Sequence, residues 1–201
     1  MHIVALCGSL RGDESFTLKA MKIAVREMLA DGATVDLIDL TTLGLPFCSS
    51  EEDTDDHPGC AELKDRVRRA DGLLLGSPEY HNSFSGVLKN ALDLLSAEEV
   101  RGKLFGLLGV SGGEAGAINT LGHLRYVVRG IGGWSLPAQI SIPNAWKMFD
   151  GDRLTDDALN GRLRAFAREL VRFSRLHSLA PHFEAGLLQV IDESPDELPG
   201  A

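Results

Sequence analysis

The sequence predicts a doubly wound α/β fold, in which helices cover both faces of a parallel β-sheet. Short apolar runs alternate along the chain with longer segments of helical spacing, as expected for successive strand–helix units. The 201 residues fit a single domain. Apolar residues make up 44% of the chain and charged residues 24%, so the protein can bury a core without disulfides or metals.

The first half of the chain contains three predicted strands and two predicted helices. Residues 3–7 form an apolar run that ends at a glycine, and residues 15–31 carry apolar side chains at helical spacing. Residues 34–40 predict the second strand. A short helix over residues 61–70 then precedes residues 72–76, a glycine-bounded apolar run that predicts a buried third strand.

The second half continues this alternation. Helical spacing at 86–95 is followed by a fourth strand at 103–110, another helix at 117–128 and a short fifth strand within 135–142. Residues 155–179 predict a long amphipathic helix with one apolar stripe, formed by Leu163, Phe166, Leu170 and Phe173. Five strands with intervening helices are the content of the flavodoxin-like fold, whose usual strand order is 2-1-3-4-5.

Two segments lie outside this pattern. Residues 43–59 form a long connection rich in Ser, Asp, Glu and Pro, and connections of this length are commonly functional or disordered. Residues 181–201 are acidic near their end and contain proline, which predicts a mobile tail after a domain spanning residues 1–180.

Charge and cysteine content limit the partners and the compartment. The 29 acidic residues exceed the 20 basic ones, and the net charge of −9 argues against nucleic acid and anionic membranes as partners. No apolar run is long enough to span a bilayer. The three cysteines, Cys7, Cys48 and Cys60, form no CxxC pair, which favours a reducing, cytoplasmic location.

Three loops at the carboxyl ends of strands are the predicted ligand site, because doubly wound sheets bind ligands at this edge. The first loop follows residues 3–7 and opens the first helix. A helix N-terminus attracts phosphate, Ser9, Ser15 and Thr17 add hydroxyl groups, and Arg11 adds positive charge. The alternative is that Ser15 only caps the helix and Arg11 lies in a solvated turn.

The second loop carries a specific resemblance. Residues 76–93 read GSPEYHNSFSGVLKNALD, which is similar to the GSPEYN-S-PG-LKNA-D segment of the NADPH-dependent FMN reductase family. That segment binds the isoalloxazine ring of FMN in the family. The third loop, residues 110–116, resembles the family's third flavin loop, where glycine permits close backbone approach. The resemblance covers most of residues 1–175.

The resemblance implies the residues that hold FMN. They are Ser9, Arg11, Ser15, Phe16, Thr17, Pro78, Glu79, Tyr80, His81, Asn82, Ser83, Ser111, Gly112 and Gly113. The chain departs from the family pattern at a few positions. Glu14 stands where the second serine of the first loop is usual, His81 replaces an asparagine, and Ser85 replaces a proline.

The resemblance also implies hydride transfer from NADPH or NADH to FMN and then electron transfer to a small acceptor. Candidate acceptors are a quinone, an azo compound, a nitroaromatic, a metal oxyanion or free flavin. It further implies a homodimer or homotetramer. The alternative is an FMN-binding electron carrier or a flavin sensor. Carriers of this fold rely on aromatic side chains beside the flavin, and Trp134 and Trp146 lie far from the three loops in sequence.

We assign no catalytic residue, because hydride transfer needs only close stacking of two rings. His81 has two interpretations, as a proton donor to the acceptor or as a surface imidazole. The acidic run at residues 51–57, with Cys60 nearby, fits no tetrahedral zinc pattern, and carboxylate clusters are usually solvated surface, so we predict no metal site. The resemblance implies instead that this loop borders the site or a partner subunit.

Overall fold

The computed structural model describes residues 1–49, 54 and 56–193, with side chains up to residue 179. The strands in this part of the chain are β1 (His2–Cys7), β2 (Thr34–Asp39), β3 (Gly72–Tyr80), β4 (Ser83–Phe84), β5 (Leu104–Val110), β6 (Trp134–Ile142), β7 (Phe149–Asp150) and β8 (Arg153–Leu154). The helices are α1 (Phe16–Ala30), α2 (Pro58–Arg68), α3 (Gly86–Asp93), α4 (Ala97–Val100), α5 (Ile118–Gly130), α6 (Ala145–Met148) and α7 (Asp157–Glu193).

Five parallel strands form the central sheet in the order β2-β1-β3-β5-β6. This is the predicted order 2-1-3-4-5 when the five long strands are numbered alone, so the fold prediction is confirmed. Cys7 pairs with Gly76, and Pro78 pairs with Val110, so β1, β3 and β5 end at the same edge of the sheet. The three predicted loops therefore begin side by side.

Helices cover both faces of this sheet, as the alternation of strand side chains requires. Ala5 and Leu74 point toward the layer formed by α1 and α7. Val4, Leu73 and Leu75 point toward the layer formed by α2, α3 and α5. Every residue of β5 is buried, which is typical of a central parallel strand with helices on both sides.

The third strand is longer than predicted and continues into a hairpin. Beyond Gly76, β3 still pairs with β5, and Glu79 and Tyr80 then pair with the antiparallel strand β4. The two residues between these strands, His81 and Asn82, have φ angles of 50° and 63°. Two consecutive residues with positive φ form a type I′ turn, which matches the twist of a hairpin. Part of the predicted second loop is therefore strand.

The last helix also differs from its prediction, since α7 continues to Glu193. Leu163, Phe166 and Leu170 are buried as predicted, whereas Phe173 is 37% exposed. A Cβ atom at Gly72, the first residue of β3, would lie 2.1 Å from Ser174 Oγ, so α7 passes the amino end of the sheet near Ser174. Residues 194–201 and most of the acidic run at 51–57 lie outside the described residues, and the mobility of the tail stays a prediction.

The fifth long strand, β6, runs from Trp134 to Ile142 and is also longer than expected. Its pairing with β5 shifts register between Phe105 and Leu107. Pro137 lies in this irregular stretch, where the missing N–H of proline does not interrupt a regular ladder. Among the described helices, none has both the length and the hydrophobicity that crossing a membrane requires.

Candidate functional site

An open cleft of about 240 Å³ lies at the edge where β1, β3 and β5 end. All three predicted loops contribute to it. Most of the predicted site residues line the cleft, namely Ser9, Arg11, Ser15, Phe16, Thr17, Pro78, Glu79, Tyr80, Ser111 and Gly112. The lining also includes Val110, Ala145 and Trp146, which the sequence analysis did not select.

The first loop places the N-terminus of α1 at the cleft. A short 3-10 turn at Gly12–Glu14 accommodates the additional residue of this loop, and the Ser15 N–H donates to the Gly12 carbonyl at 3.0 Å. Ser15 Oγ accepts from the Leu18 N–H at 3.1 Å, so Ser15 is the N-cap. The N–H groups of Phe16 and Thr17 have no acceptor within the helix. They and the exposed Arg11 are available to an anion.

Ser85 connects the first and second loops. Its Oγ donates to the Gly8 carbonyl at 2.5 Å and accepts from the Leu88 N–H at 3.2 Å, which makes Ser85 the N-cap of α3. Its backbone N–H donates to Ser77 Oγ at 3.0 Å. The serine that departs from the family's proline therefore holds the start of the first loop against the second.

Because of the hairpin, only some of the predicted residues of the second loop line the cleft. Glu79 Oε2 accepts from the Thr120 N–H at 3.0 Å, so this carboxylate caps the first turn of α5 while lining the cleft. Tyr80 is 47% exposed at the same cleft. His81 and Asn82 form the turn, and neither lines the cleft. Ser83 Oγ lies 3.0 Å from His123 Nδ1 and contacts α5 instead.

The third loop is held by the segment that follows β6. The Ser111 N–H donates to the Ile142 carbonyl at 2.9 Å, and the Gly113 N–H donates to Ser111 Oγ at 3.1 Å. In return, the N–H groups of Asn144 and Ala145 donate to the carbonyls of Gly113 and Ser111 at 3.0 and 2.9 Å. Gly112 lines the cleft, whereas Gly113 does not.

Trp146 is far from the three loops in sequence but not in the folded chain. Trp146 lines the cleft and is 62% exposed, because the chain after β6 folds back onto the third loop. Trp134 lies at the opposite end of β6. Ligands of doubly wound sheets bind at the carboxyl ends of the strands. Applying this rule to β6, as well as to β1, β3 and β5, identifies residues 143–146.

Cys7 adds no negative charge beside the first loop. Burial raises the pKa of Cys7, the last residue of β1, to about 11, so its thiol is neutral at physiological pH. Asp13 and Glu14 are both exposed, and Asp13 pairs with Lys22 at 3.1 Å. No group of three or more His, Cys, Asp or Glu side chains among the described residues is arranged to hold a metal ion.

Comparison with known proteins identifies related sequences. The NADPH-dependent FMN reductase family matches residues 1–147. The "NADPH azoreductase" of a Bacillus species is 34% identical over 148 residues, which cover 74% of this chain and 79% of that protein. The "FMN-dependent NADPH-azoreductase" of Staphylococcus haemolyticus is 40% identical over 115 residues, which cover 56% of this chain and 61% of that relative.

Solved structures share the fold. The flavoenzyme NAD(P)H:(acceptor) oxidoreductase FerB from Paracoccus denitrificans superimposes with a TM-score of 0.74 at 23% identity, covering 88% of this chain and 98% of FerB. The apo form of the NADH:FMN oxidoreductase EMOB gives a TM-score of 0.65 at 25% identity, covering 84% and 89% of the two chains. With the family match over residues 1–147 and the azoreductase at 34% identity, these similarities show that this chain belongs to the NADPH-dependent FMN reductase family.

Proposed function

We propose that this protein is an FMN-dependent NADPH oxidoreductase that reduces small acceptors, in particular azo compounds and quinones. The observation that carries the proposal is the convergence of three loops on one cleft beside the N-terminus of α1. Membership of the reductase family supports the same activity, and the azoreductase relatives support the class of acceptor.

The first loop fits the phosphate of FMN. Phe16 and Thr17 offer unpaired N–H groups at the positive end of a helix of 15 residues, and the buried Ser15 and Thr17 border the same cleft. Arg11 adds a guanidinium group, which forms strong hydrogen bonds with phosphate oxygens. We therefore propose that Ser9, Arg11, Ser15, Phe16 and Thr17 hold the phosphate.

The second and third loops fit a flat ring. A Cβ atom at Gly112 would meet no atom within 4 Å, so packing within the protein does not require glycine there. The missing side chain instead leaves space that a ring edge can occupy. We propose that Pro78, Glu79, Tyr80, Ser111 and Gly112 border the isoalloxazine ring. His81, Asn82, Ser83 and Gly113 lie outside the cleft lining, so the structure offers less support for their contact with the cofactor.

In this proposal the protein contributes to the reaction by binding and orienting FMN. Bound FMN would supply the redox chemistry between NADPH and the acceptor. In the same proposal α1 holds the cofactor's phosphate, and the exposed side chains of Tyr80 and Trp146 border the same cleft. The Glu79 carboxylate, an acidic group that lines the cleft, already accepts a hydrogen bond from the Thr120 N–H. We therefore assign no residue to proton transfer.

An anaerobic titration of the FMN-loaded protein tests this proposal. NADPH and then NADH are added while the visible flavin absorbance is followed. We expect rapid bleaching by NADPH, and the faster of the two donors establishes the nucleotide preference. Failure to retain FMN would refute the proposal.

An electron carrier is the second candidate function. The aromatic residues Tyr80 and Trp146 both border the cleft, as expected of carriers with this fold. A flavodoxin from the Archaea also shares the fold, with a TM-score of 0.61 at 13% identity. FMN that binds but is not bleached by either nucleotide would favour the carrier over the reductase.

We also propose a homo-oligomer, either a dimer or a tetramer, in a reducing cytoplasmic compartment. Apolar side chains near the end of the described part of α7 are exposed, since Leu176 is 53% and Leu179 43% accessible. Cys7 and Cys48 are free thiols, which are typical of a reducing compartment. Light scattering at working concentration tests the assembly, and a strictly monomeric particle would refute it.

A further inference from the structure

Trp146 has no role in the core that would explain its position. Its side chain is 62% exposed although it lines the cleft. A large aromatic side chain that is exposed beside a ligand cleft offers apolar surface that a bound molecule would bury.

The segment that carries Trp146 is fixed on two sides. Hydrogen bonds from Asn144 and Ala145 attach it to the third loop. Just beyond Trp146, the ring of Phe149 stacks on Phe16 of α1, with 5.4 Å between ring centroids. Phe16 itself lines the cleft. The backbone that carries the indole is therefore attached to the third loop on one side and to α1 on the other.

Lys147 places a positive charge on this aromatic surface. Its Nζ lies 4.6 Å from the centre of the Trp146 ring, within the range of a cation–π contact. Both side chains are exposed. A flat molecule that packs against the indole therefore lies near an ammonium group, in a protein whose net charge is −9.

We propose that Trp146 and Lys147 form the acceptor-recognition surface of this enzyme, and that they select planar aromatic acceptors bearing an anionic substituent. Trp146 provides the stacking surface and Lys147 attracts the negative group. This inference rests on the proposed reductase function and names the substrate class of the same site.

Binding of two matched dyes to the oxidised, FMN-loaded protein tests the proposal without turnover. Azobenzene-4-sulfonate is anionic, and azobenzene-4-sulfonamide is its neutral counterpart. Equilibrium dialysis gives the Kd of each dye. We expect Trp146→Ala to raise both Kd values by about three- to tenfold through loss of stacking. Trp146→Phe, which keeps an aromatic ring, should restore part of the affinity.

The charge is tested separately with Lys147→Gln. This substitution should raise the Kd of the sulfonate by roughly two- to fivefold relative to the sulfonamide, and salt should reduce the difference. Trp134→Ala is the matched control, because Trp134 is also 62% exposed but lies at the opposite end of β6. It should leave both dyes unaffected.

The outcomes separate this inference from the proposed function. If the wild-type protein retains FMN and is bleached by NADPH, but Trp146→Ala and Trp134→Ala bind both dyes alike, the acceptor surface is refuted and the reductase stands. Loss of FMN from Trp146→Ala would place the indole against the cofactor and would also overturn the inference. Failure of the wild-type protein to bind FMN refutes the proposed function itself.

Discussion

At the scale of single residues, the first loop concentrates groups that favour a negative ligand. Arg11 is exposed at the cleft, and the unpaired N–H groups of Phe16 and Thr17 point out of the helix end. Cys7, directly before the loop, stays neutral because burial raises its pKa to about 11. The loop therefore offers positive charge without a thiolate beside it.

Replacing Arg11 should weaken FMN selectively. Arg11→Ala should raise the Kd of FMN by about tenfold or more, since a hydrogen bond to a charged group contributes roughly 1.5–3 kcal/mol. Riboflavin, which lacks the phosphate, should lose little affinity. Titration of the apo-protein by flavin fluorescence measures both constants. Arg101→Ala is the control, because Arg101 is exposed just before β5 at the other end of the sheet. Equal weakening of FMN and riboflavin would remove the phosphate role.

Glu79 should contribute to stability through α5. Glu79→Ala removes the acceptor of the Thr120 N–H, and loss of such a cap should lower the free energy of unfolding by about 1–2 kcal/mol. Glu79→Gln keeps an acceptor oxygen and should cost less. Urea unfolding measures both variants. Glu114→Ala, an exposed carboxylate in the third loop, is the control. Identical stability of Glu79→Ala and the wild type would show that this hydrogen bond does not contribute to the free energy of unfolding.

At the scale of elements, helix ends and strand ends together shape the site. The N-cap of α3, Ser85, also holds the Gly8 carbonyl, so one serine fixes a helix start and a loop start. The carboxylate of Glu79 on β3 caps α5. These contacts join elements that are far apart in sequence, and they set the distance between the first and second loops.

Ser85→Ala should therefore affect both stability and the cofactor. Loss of the cap and of the bond to Gly8 should lower the free energy of unfolding by about 1–2 kcal/mol. The released first loop should also bind FMN more weakly. Ser96→Ala is the matched control, because Ser96 is the N-cap of α4, away from the cleft. Ser96→Ala should reduce stability but leave the Kd of FMN unchanged. The same result for Ser85→Ala would contradict its positioning role.

Lys103, at the opposite end of the sheet, should make the free energy of unfolding depend on pH. Its Nζ donates to the carbonyls of Val67 and Arg68 at 2.6 and 2.8 Å, at the C-terminal end of α2. Burial lowers its pKa from 10.5 to about 8. Between these two values the unfolded chain binds more protons than the folded one, so this residue's contribution to stability rises with pH.

The comparison with Lys103→Met isolates this effect from other titrating groups. The free energy of unfolding of the wild type, relative to the variant, should increase by roughly 1 kcal/mol between pH 7.5 and 10, since partial exposure reduces the full effect. Denaturant unfolding at several pH values provides the measurement. Lys89→Met, on α3, controls for the removal of a lysine. A difference that does not change with pH would contradict the lowered pKa.

At the scale of the whole molecule, residues 1–180 contain the cleft and the described core. All cleft-lining residues lie at or before Trp146, and Ser174 on α7 is still fully buried. Beyond it, Leu176 and Leu179 are exposed. The helix therefore continues past the sheet after it has covered the core.

A chain that ends at residue 180 should fold and bind FMN. We expect its Kd for FMN to stay within about twofold of the full-length value and its Tm to change by roughly 5 °C or less, because the described core and all cleft-lining residues precede residue 180. A chain that ends at residue 160 is the control. It lacks Leu163, Phe166 and Leu170, which cover one face of the sheet, and should not fold. Loss of FMN binding on truncation at 180 would show that residues 181–201 belong to the functional unit.

Local sequence patterns predict most of the residues that line the cleft, whereas their contacts with FMN stay a prediction. Ser15 was identified as a helix start because its hydroxyl, followed by helical spacing, has a direct physical meaning. Ser9, Pro78 and Ser111 were found because parallel strands present their carboxyl ends at one edge. The GSPEYHNS segment added the family and the cofactor through resemblance. The turn at His81 and Asn82 was missed, since neither an Asn-Gly nor an Asp-Gly pair marks it.

The sequence by itself determined the order of strands and helices, the edge of the sheet that carries the cleft, and the family, because hydrophobic periodicity and motifs are local properties. Only the tertiary structure decided that Trp146 joins the cleft, that Ser85 holds Gly8 and that Glu79 caps α5. Each of these contacts joins residues between about 40 and 80 positions apart, or different strand ends, and no local pattern encodes such a distance. The sheet brings them together because the ends of parallel strands meet at one edge.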